Sequence, residues 1–132
     1  MAGPKGSKYY DVFLKYHINL EKVDNENILG CEGFGLLDAI RTTGSLASAA
    51  AEMNISYRKA WGIIKEVEDK LGFSLVEKHR GGAEGGYTHL TVEGNELMDA
   101  YNELTNQFNA SMKDITRRFF WSINTNPDEK QE

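Results

Sequence analysis

A chain of 132 residues has room for one domain with a hydrophobic core, but not comfortably for two. Its 40% hydrophobic and 27% charged residues exclude wholesale disorder, and no run approaches the roughly 18 apolar residues of a membrane span, so we expect a soluble, cytoplasmic protein without a membrane partner. The net charge of -5 would disfavour nucleic-acid binding if it were evenly spread, but residues 92–132 hold eight acids against four Lys and Arg, whereas residues 36–91 hold seven of each.

The N-terminal segment is predicted to form a flexible start, residues 1–10, and then a β-hairpin. Residues 12–20, VFLKYHINL, alternate apolar and polar side chains, a period of two that is typical of a half-buried strand. The polar stretch EKVDNEN and the apolar run NILGC follow, so we predict a hairpin over about residues 11–31 with its turn at residues 24–26. Cys31, the only cysteine, excludes an internal disulfide and a Cys-rich zinc site, and we expect it to be buried near a helix start.

Three helices are predicted next, each delimited by its own capping residues. GFGLLDAIRTTG carries a helical apolar stripe and ends at Gly44, the preferred residue just past a helix end. Ser45 is a suitable N-cap for LASAAAEM, whose alanines would let another helix pack closely. Asn54 tolerates the left-handed conformation that ends helices, and Ser56 is an N-cap for a third helix that Gly72 ends. The apolar stripe of this third helix includes Trp61, which we expect in the core.

After the third helix the pattern changes from helical to strand-like. FSLVEKHR and YTHLT are short extended segments, and they flank residues 80–88, RGGAEGGYT, whose paired glycines supply the positive φ that a chain reversal needs. We therefore predict a second hairpin over about residues 75–91. Apolar side chains then recur at steps of three or four, which predicts one helix over residues 92–121, about 40 Å long and longer than so small a domain needs. Residues 122–132 are predicted to be a polar tail.

The second and third predicted helices have the layout of a helix-turn-helix, in which the start of the second helix is presented to the DNA major groove. Arg58 can donate two hydrogen bonds to a guanine edge or bind a phosphate, while Ser56 and Tyr57 can bond bases or backbone oxygens. Backbone amides at the helix start add partial positive charge. An ordinary helical hairpin with a solvated basic face has the same caps, so the caps alone leave both interpretations open.

The stretch LASAAAEMNISYRKAWGIIK resembles the helix-turn-helix of LysR-type and ModE-type bacterial regulators. It has small residues at Ala49 and Ala50 and apolar residues at Met53 and Ile55 around the turn, although Asn54 stands where the family usually has glycine. The longer segment from about residue 30 to residue 110 closely resembles the N-terminal DNA-binding domain of the molybdate-dependent ModE repressors. Ile-Ser-Tyr-Arg-Lys-Ala-Trp, a Leu-Val-Glu strand, paired wing glycines and Leu-Thr-x-x-Gly occur there in the family's order.

This resemblance implies a mainly α fold with small β-hairpins (α+β): a winged helix-turn-helix over residues 11–91, with the hairpin of residues 75–91 as its wing, and a long C-terminal dimerisation helix. By position it implies that the third helix meets the major groove and that basic residues on this helix and the wing meet phosphate. Glu84, an acidic residue at the wing tip, does not fit a phosphate contact, because phosphate would repel its carboxylate. The expected DNA-binding residues are Ser45, Ser56, Tyr57, Arg58, Lys59, Lys65, Lys78, His79, Arg80, Gly82 and Gly85.

The same resemblance bears on ligands. ModE proteins that sense molybdate carry further C-terminal domains for the oxyanion, and this chain stops about where they would begin. The chain is then either a stand-alone family member, which its polar end NPDEKQE favours, or a truncated one. We expect a DNA-binding domain that takes no cofactor and does not bind molybdate.

Other classes of function are disfavoured by the residues. His17, His79 and His89 have no clustered acids or serines at a catalytic spacing, so we do not expect an enzyme. His79 and His89 flank one hairpin, but two ligands are too few for a structural metal site, and none is predicted. RGGAEGG lacks the Lys-Ser/Thr of a P-loop and does not lie between a strand and a helix, which excludes a nucleotide cradle of that kind.

The long C-terminal helix predicts a homodimer, because its apolar stripe is longer than one small core can cover. A dimer would set two third helices about one DNA turn, roughly 34 Å, or a multiple apart, and would read an inverted repeat in double-stranded DNA. A protein-interaction module without direct DNA binding is the alternative, since such a stripe would dimerise regardless of DNA. The expected seam consists of Leu97, Tyr101, Leu104, Phe108, Met112 and Ile115.

Overall fold

The computed structural model describes residues 5–6, 8–79 and 87–124. The described residues from His17 to Tyr101 form one compact unit, and those before His17 or after Tyr101 form a second. Within this described part, four helices and two small antiparallel sheets confirm the predicted class, mainly α with small β-hairpins. In chain order the elements are β1 (Leu20–Glu21), β2 (Asn27–Leu29), α1 (Cys31–Thr43), α2 (Leu46–Glu52), α3 (Tyr57–Leu71), β3 (Val76–His79), β4 (Tyr87–Leu90) and α4 (Val92–Asn124).

The first three helices are delimited by the capping residues that the sequence indicates. The Ser45 and Ser56 hydroxyls each accept a hydrogen bond from the amide three residues ahead, at 3.1 and 3.0 Å, at the starts of α2 and α3. Gly44 and Gly72 follow α1 and α3 with φ of 73° and 87°. Side chains other than glycine rarely adopt this left-handed conformation, so both helices stop where predicted.

The core of the first unit lies between α1, α2, α3 and the start of α4. Ala49 on α2 and Ala60 on α3 are both fully inaccessible, and such small side chains let helices pack at close range. The Phe34 and Tyr101 rings stack with centroids 3.8 Å apart, which anchors the first turns of α4 to α1. The largest fully buried side chains are Phe34, Leu29, Leu36, Leu37, Ile40, Leu46, Ile64, Leu75 and Met98.

The N-terminal hairpin is much shorter than predicted. β1 and β2 pair antiparallel, and the turn lies where expected: the Lys22 amide donates to the Glu26 carbonyl at 2.8 Å, and Asn25 has a φ of 69°. Residues 12–19 have no regular secondary structure, and the Phe13 side chain is 62% exposed, so the strand prediction for this segment was wrong. The reason is that an alternating pattern forms a strand only beside a partner, and β2 offers three residues.

Cys31 is the first residue of α1, as expected, but its side chain is exposed, so the predicted burial was wrong. The buried positions of α1 begin only at Gly33, and the thiol therefore lies ahead of the packed face of the helix. Larger aliphatic side chains fill the adjacent core instead.

Lys70 connects the N-terminal hairpin to α3. Its ammonium donates to the Asn27 carbonyl at 2.8 Å and lies 3.1 Å from the Glu66 carboxylate and 3.7 Å from that of Glu26. The hydrogen bond to Glu66, assisted by the two negative charges, raises the pKa of Lys70 above its ordinary value. The ammonium is therefore charged at neutral pH and holds β2 against α3.

β3 and β4 form the second hairpin, as predicted. Glu68 on α3 accepts hydrogen bonds from the Leu75 and Val76 amides at 2.6 and 3.1 Å, which fixes the start of β3 on α3. The glycine-rich turn expected between the strands, residues 80–86, lies outside the described residues. The residues that face each other across the strands are Val76 and Leu90, Glu77 and His89, Lys78 and Thr88, and His79 and Tyr87.

α4 has 33 residues, about 50 Å, and ends three residues later than predicted. The Thr91 hydroxyl accepts a hydrogen bond from the Gly94 amide at 3.0 Å and so caps the start of α4.

In the second unit, the Tyr16 hydroxyl donates to the Asn109 side chain, and the Tyr16 ring lies 5.8 Å from that of Phe108. Across the described ranges, no helix combines the length and the apolar character needed to cross a membrane.

Candidate DNA interface

The turn between α2 and α3 is held by backbone hydrogen bonds. The Asn54 amide donates to the Ala51 carbonyl at 3.1 Å, and the Ile55 amide donates to the Ala50 carbonyl at 3.0 Å. Asn54 has a φ of 57°, a left-handed conformation that asparagine tolerates better than most side chains. Asparagine therefore serves at the position where the family that the sequence resembles usually has glycine, and α3 begins three residues later.

The four side chains expected in the major groove are together at the start of α3. Ser56, Tyr57, Arg58 and Lys59 are all exposed. The Ser56 hydroxyl already accepts a hydrogen bond from the Lys59 amide, but its proton remains free to be donated to a phosphate or a base edge. The first-turn amides add partial positive charge at the same place. This end of α3 is therefore suited to an anionic, hydrogen-bonding surface.

Arg58 is the best placed cation of this group. Among the described residues, no carboxylate lies within 4.0 Å of its guanidinium, so its forked donors can bind a partner without first breaking an ion pair. Lys59, by contrast, lies 3.7 Å from the Glu32 carboxylate, with both side chains more than half exposed. An exposed pair at that distance is weak, and DNA phosphate could displace Glu32 at little cost.

Lys78 joins the second hairpin to α3. Its ammonium lies 4.9 Å from the centroid of the Tyr57 ring and 4.8 Å from that of Trp61, and it also donates a hydrogen bond to the Tyr57 hydroxyl. Contacts of an ammonium with two aromatic rings are attractive because the faces of the rings carry negative potential. The structure thus brings a predicted wing residue next to a predicted major-groove residue, a contact between positions 21 residues apart.

Trp61 is at the edge of the core rather than inside it. It is half-buried and packs against the core cluster, which agrees in part with the prediction, and it also carries two cations. Besides Lys78, the Lys65 ammonium lies 5.2 Å from its ring centroid. The sequence held a signal for the Lys65 contact, since residues four apart are neighbours on a helix. The sequence held no such signal for the contact of Lys78 with Trp61.

The other predicted residues do not all join this surface. Ser45 is half-buried at the start of α2, where its hydroxyl caps the helix. His79 is exposed, but because side chains alternate along a strand, it projects from the face of β3 opposite to Lys78. Arg80, Gly82 and Gly85 lie outside the described residues.

Comparison with known proteins shows which family the segment from α1 to the start of α4 is similar to. Residues 33–95 match the family of bacterial regulatory helix-turn-helix proteins of the lysR type. The molybdenum-pterin-binding protein MopB of Rhodobacter capsulatus is 34% identical over 101 residues, which are 76% of this chain and 36% of that protein. The DNA-binding transcriptional dual regulator ModE of Escherichia coli K12 is 38% identical over 69 residues, 52% of this chain and 26% of that protein. This chain therefore spans about a quarter to a third of the length of these relatives.

Solved structures agree on the fold. ArgP of Mycobacterium tuberculosis superposes with a TM-score of 0.51 at 18% identity, over 62% of this chain and 29% of that one. The DNA-binding domain of BenM, solved with benA site 1 DNA, superposes with a TM-score of 0.50 at 23% identity, over 65% of this chain and 90% of that one. The predicted winged helix-turn-helix class is thereby confirmed. Residues 33–95 of this chain contain a helix-turn-helix domain of the lysR type, and the chain is similar in sequence to ModE.

Proposed function

We propose that this protein is a transcriptional regulator that binds double-stranded DNA sequence-specifically, as a homodimer on an inverted repeat. The observation that carries the proposal is the exposed group Ser56 to Lys59 at the capped start of α3, inside a helix-turn-helix domain of a regulator family. One of the relatives, ModE of Escherichia coli K12, is named a DNA-binding transcriptional dual regulator, in keeping with such a function.

The proposed binding mode places the start of α3 in the major groove. Arg58 would read a base edge through two parallel hydrogen bonds, because its guanidinium is exposed and geometrically suited to guanine. Lys65 would contact backbone phosphate from further along α3. Lys78 would extend the contact to the adjacent backbone, since it is held beside Tyr57. Phosphate contacts would set the position of the protein, and Arg58 the sequence.

The homodimer is proposed from the exposed apolar side chains of α4. Leu104, Phe108 and Ile115 are 37%, 46% and 45% exposed, although they recur at steps of four and seven along one stripe. Leu97 and Tyr101, also predicted in the seam, pack partly against the core of their own unit. The proposed seam therefore rests mainly on the residues after Tyr101, where a second copy of α4 would cover them.

The alternative is a module that binds a protein partner without DNA, which the overall net charge of -5 would favour. Salt dependence separates the two. Duplex binding with about six phosphate contacts should weaken roughly a thousandfold between about 50 and 200 mM salt, whereas apolar protein docking should scarcely respond.

The decisive experiment is selection of bound duplexes from a random DNA pool with the full chain. We expect enrichment of an inverted repeat whose half-sites are about one helical turn apart, or a multiple of it. Fluorescence anisotropy on the selected duplex then measures the salt slope and tests whether molybdate changes the affinity, which we do not expect. Failure to enrich any sequence, with salt-independent binding, would contradict the proposal.

A further inference from the structure

One face of the second hairpin carries three potential metal ligands. Glu77 and His79 are two residues apart on β3, so their side chains project from the same face. His89 on β4 lies directly opposite Glu77 and shares that face. The carboxylate and two imidazoles are thus brought together by strand register, which a count of histidines in the sequence does not reveal.

The donor atoms converge closely. The His79 and His89 Nε2 atoms are 3.4 Å apart, the His89 Nε2 lies 3.0 Å from the Glu77 carboxylate, and the His79 Nε2 lies 3.9 Å from it. In a tetrahedral zinc site with bonds of about 2.0 to 2.1 Å, neighbouring ligand atoms are about 3.3 Å apart. The three observed separations bracket that value, so small side-chain rotations suffice to place all three donors around one ion.

The surroundings favour an ion at this place. The Tyr87 ring stacks on the His79 ring with centroids 4.7 Å apart and an interplanar angle of 12°, which limits how that imidazole can turn. The three ligand side chains are between 42% and 55% exposed, so an ion could enter from solvent and keep a water molecule as its fourth ligand. Without an ion, the His79 and His89 Nε2 atoms face each other and only one of them can be a donor in that contact.

We propose that Glu77, His79 and His89 bind one divalent transition-metal ion, of which zinc is the type that best fits two imidazoles and one carboxylate. Magnesium and calcium are disfavoured because they prefer oxygen ligands. The ion would link β3 to β4 and, with neutral imidazoles, would change the local charge from negative to positive on the face of the hairpin opposite to Lys78. This proposal does not depend on DNA binding.

The test uses the full chain, freed of metal by a chelator and titrated with zinc chloride against a chromophoric competitor. We expect one zinc per chain, and cobalt chloride should give the visible absorption of a tetrahedral site with nitrogen and oxygen ligands. His79→Ala and His89→Ala should each weaken zinc binding by at least about tenfold, the scale seen for the loss of supporting groups around metals. Glu77→Gln should weaken it in the same direction.

Two matched controls address other zinc-binding groups of the chain. His17→Ala removes an exposed histidine, and Cys31→Ser removes the thiol, and both variants should bind zinc like the wild type. Circular dichroism should show every variant folded, because none of these side chains is buried. The proposal is overturned if the wild type takes up no zinc at micromolar concentration, if the double variant His79→Ala, His89→Ala binds as tightly as wild type, or if either control abolishes binding.

Discussion

Arg58 and Lys65 are both exposed on α3, but they are expected to act differently on DNA. Arg58→Ala should cost about 1 to 3 kcal/mol on the best site and relax the base preference at one position, because it would remove the proposed bidentate base contact. Lys65→Ala should weaken binding to all sequences alike and lower the salt slope, because it would remove the proposed phosphate contact. Anisotropy titrations on the selected duplex and its single-base variants measure both effects. Wild-type affinity of Arg58→Ala for the best site would show that the recognition role is misassigned.

Gly94, in the first turn of α4, is required for close packing on the second hairpin. A Cβ at this position would lie 2.2 Å from the Leu75 carbonyl oxygen and 3.2 Å from the Leu90 Cβ, and a backbone atom cannot move aside cheaply. Gly94→Ala should therefore lower the free energy of unfolding by about 1 to 3 kcal/mol. Gly62→Ala is the matched control: its Cβ would meet open space inside α3, so helix propensity should raise stability by up to about 1 kcal/mol.

Chemical denaturation of the two glycine variants gives the comparison directly. Equal stability of both variants would mean that α4 does not pack on β3 and β4 at this distance.

At the scale of elements, the carboxylate of Glu68 supports the second hairpin from α3. It satisfies the amides of Leu75 and Val76, two buried residues. Glu68→Ala should cost about 1 to 3 kcal/mol of unfolding free energy, because it leaves two backbone donors without their acceptor. Asp69→Ala, in the same turn of α3 but exposed, should change stability little. Hydrogen exchange should also become faster at the Leu75 amide in the Glu68 variant, and unchanged exchange there would rule out this support.

Elements that depend on neighbouring residues were predictable, and those that depend on distant partners were not. The caps at Ser45, Ser56 and Gly72 act within one turn of chain, so they located the helices correctly. The alternation in residues 12–19 has no such local test, because a strand needs a partner from elsewhere. The candidate DNA interface follows the same rule, because the start of α3 was predicted from its local motif. The contact of Lys78 with Trp61 and the pairing of Glu77 with His89 were not predicted, because they depend on packing and on strand register.

At the scale of the whole molecule, the oligomeric state is the first question. Ile115 is 45% exposed on the proposed seam, and Ile115→Asp should abolish dimerisation, because it would bury a carboxylate between two apolar surfaces. Lys113→Ala changes an exposed side chain off that stripe and should leave the dimer intact. Light scattering at micromolar concentration measures both masses. A wild-type monomer at that concentration would remove the dimer proposal, and with it the expectation of an inverted repeat.

The contact of Lys78 with Tyr57 and Trp61 has a consequence for the DNA itself. Because the Lys78 ammonium on β3 lies against two rings of α3, the contact restrains the spacing between β3 and the end of α3 that is proposed to enter the groove. A duplex that meets both must adopt a matching groove width and curvature, and the energy of that deformation depends on base steps that no side chain touches. Operators for this protein should therefore be selected partly by their stiffness, at positions between the contacted bases.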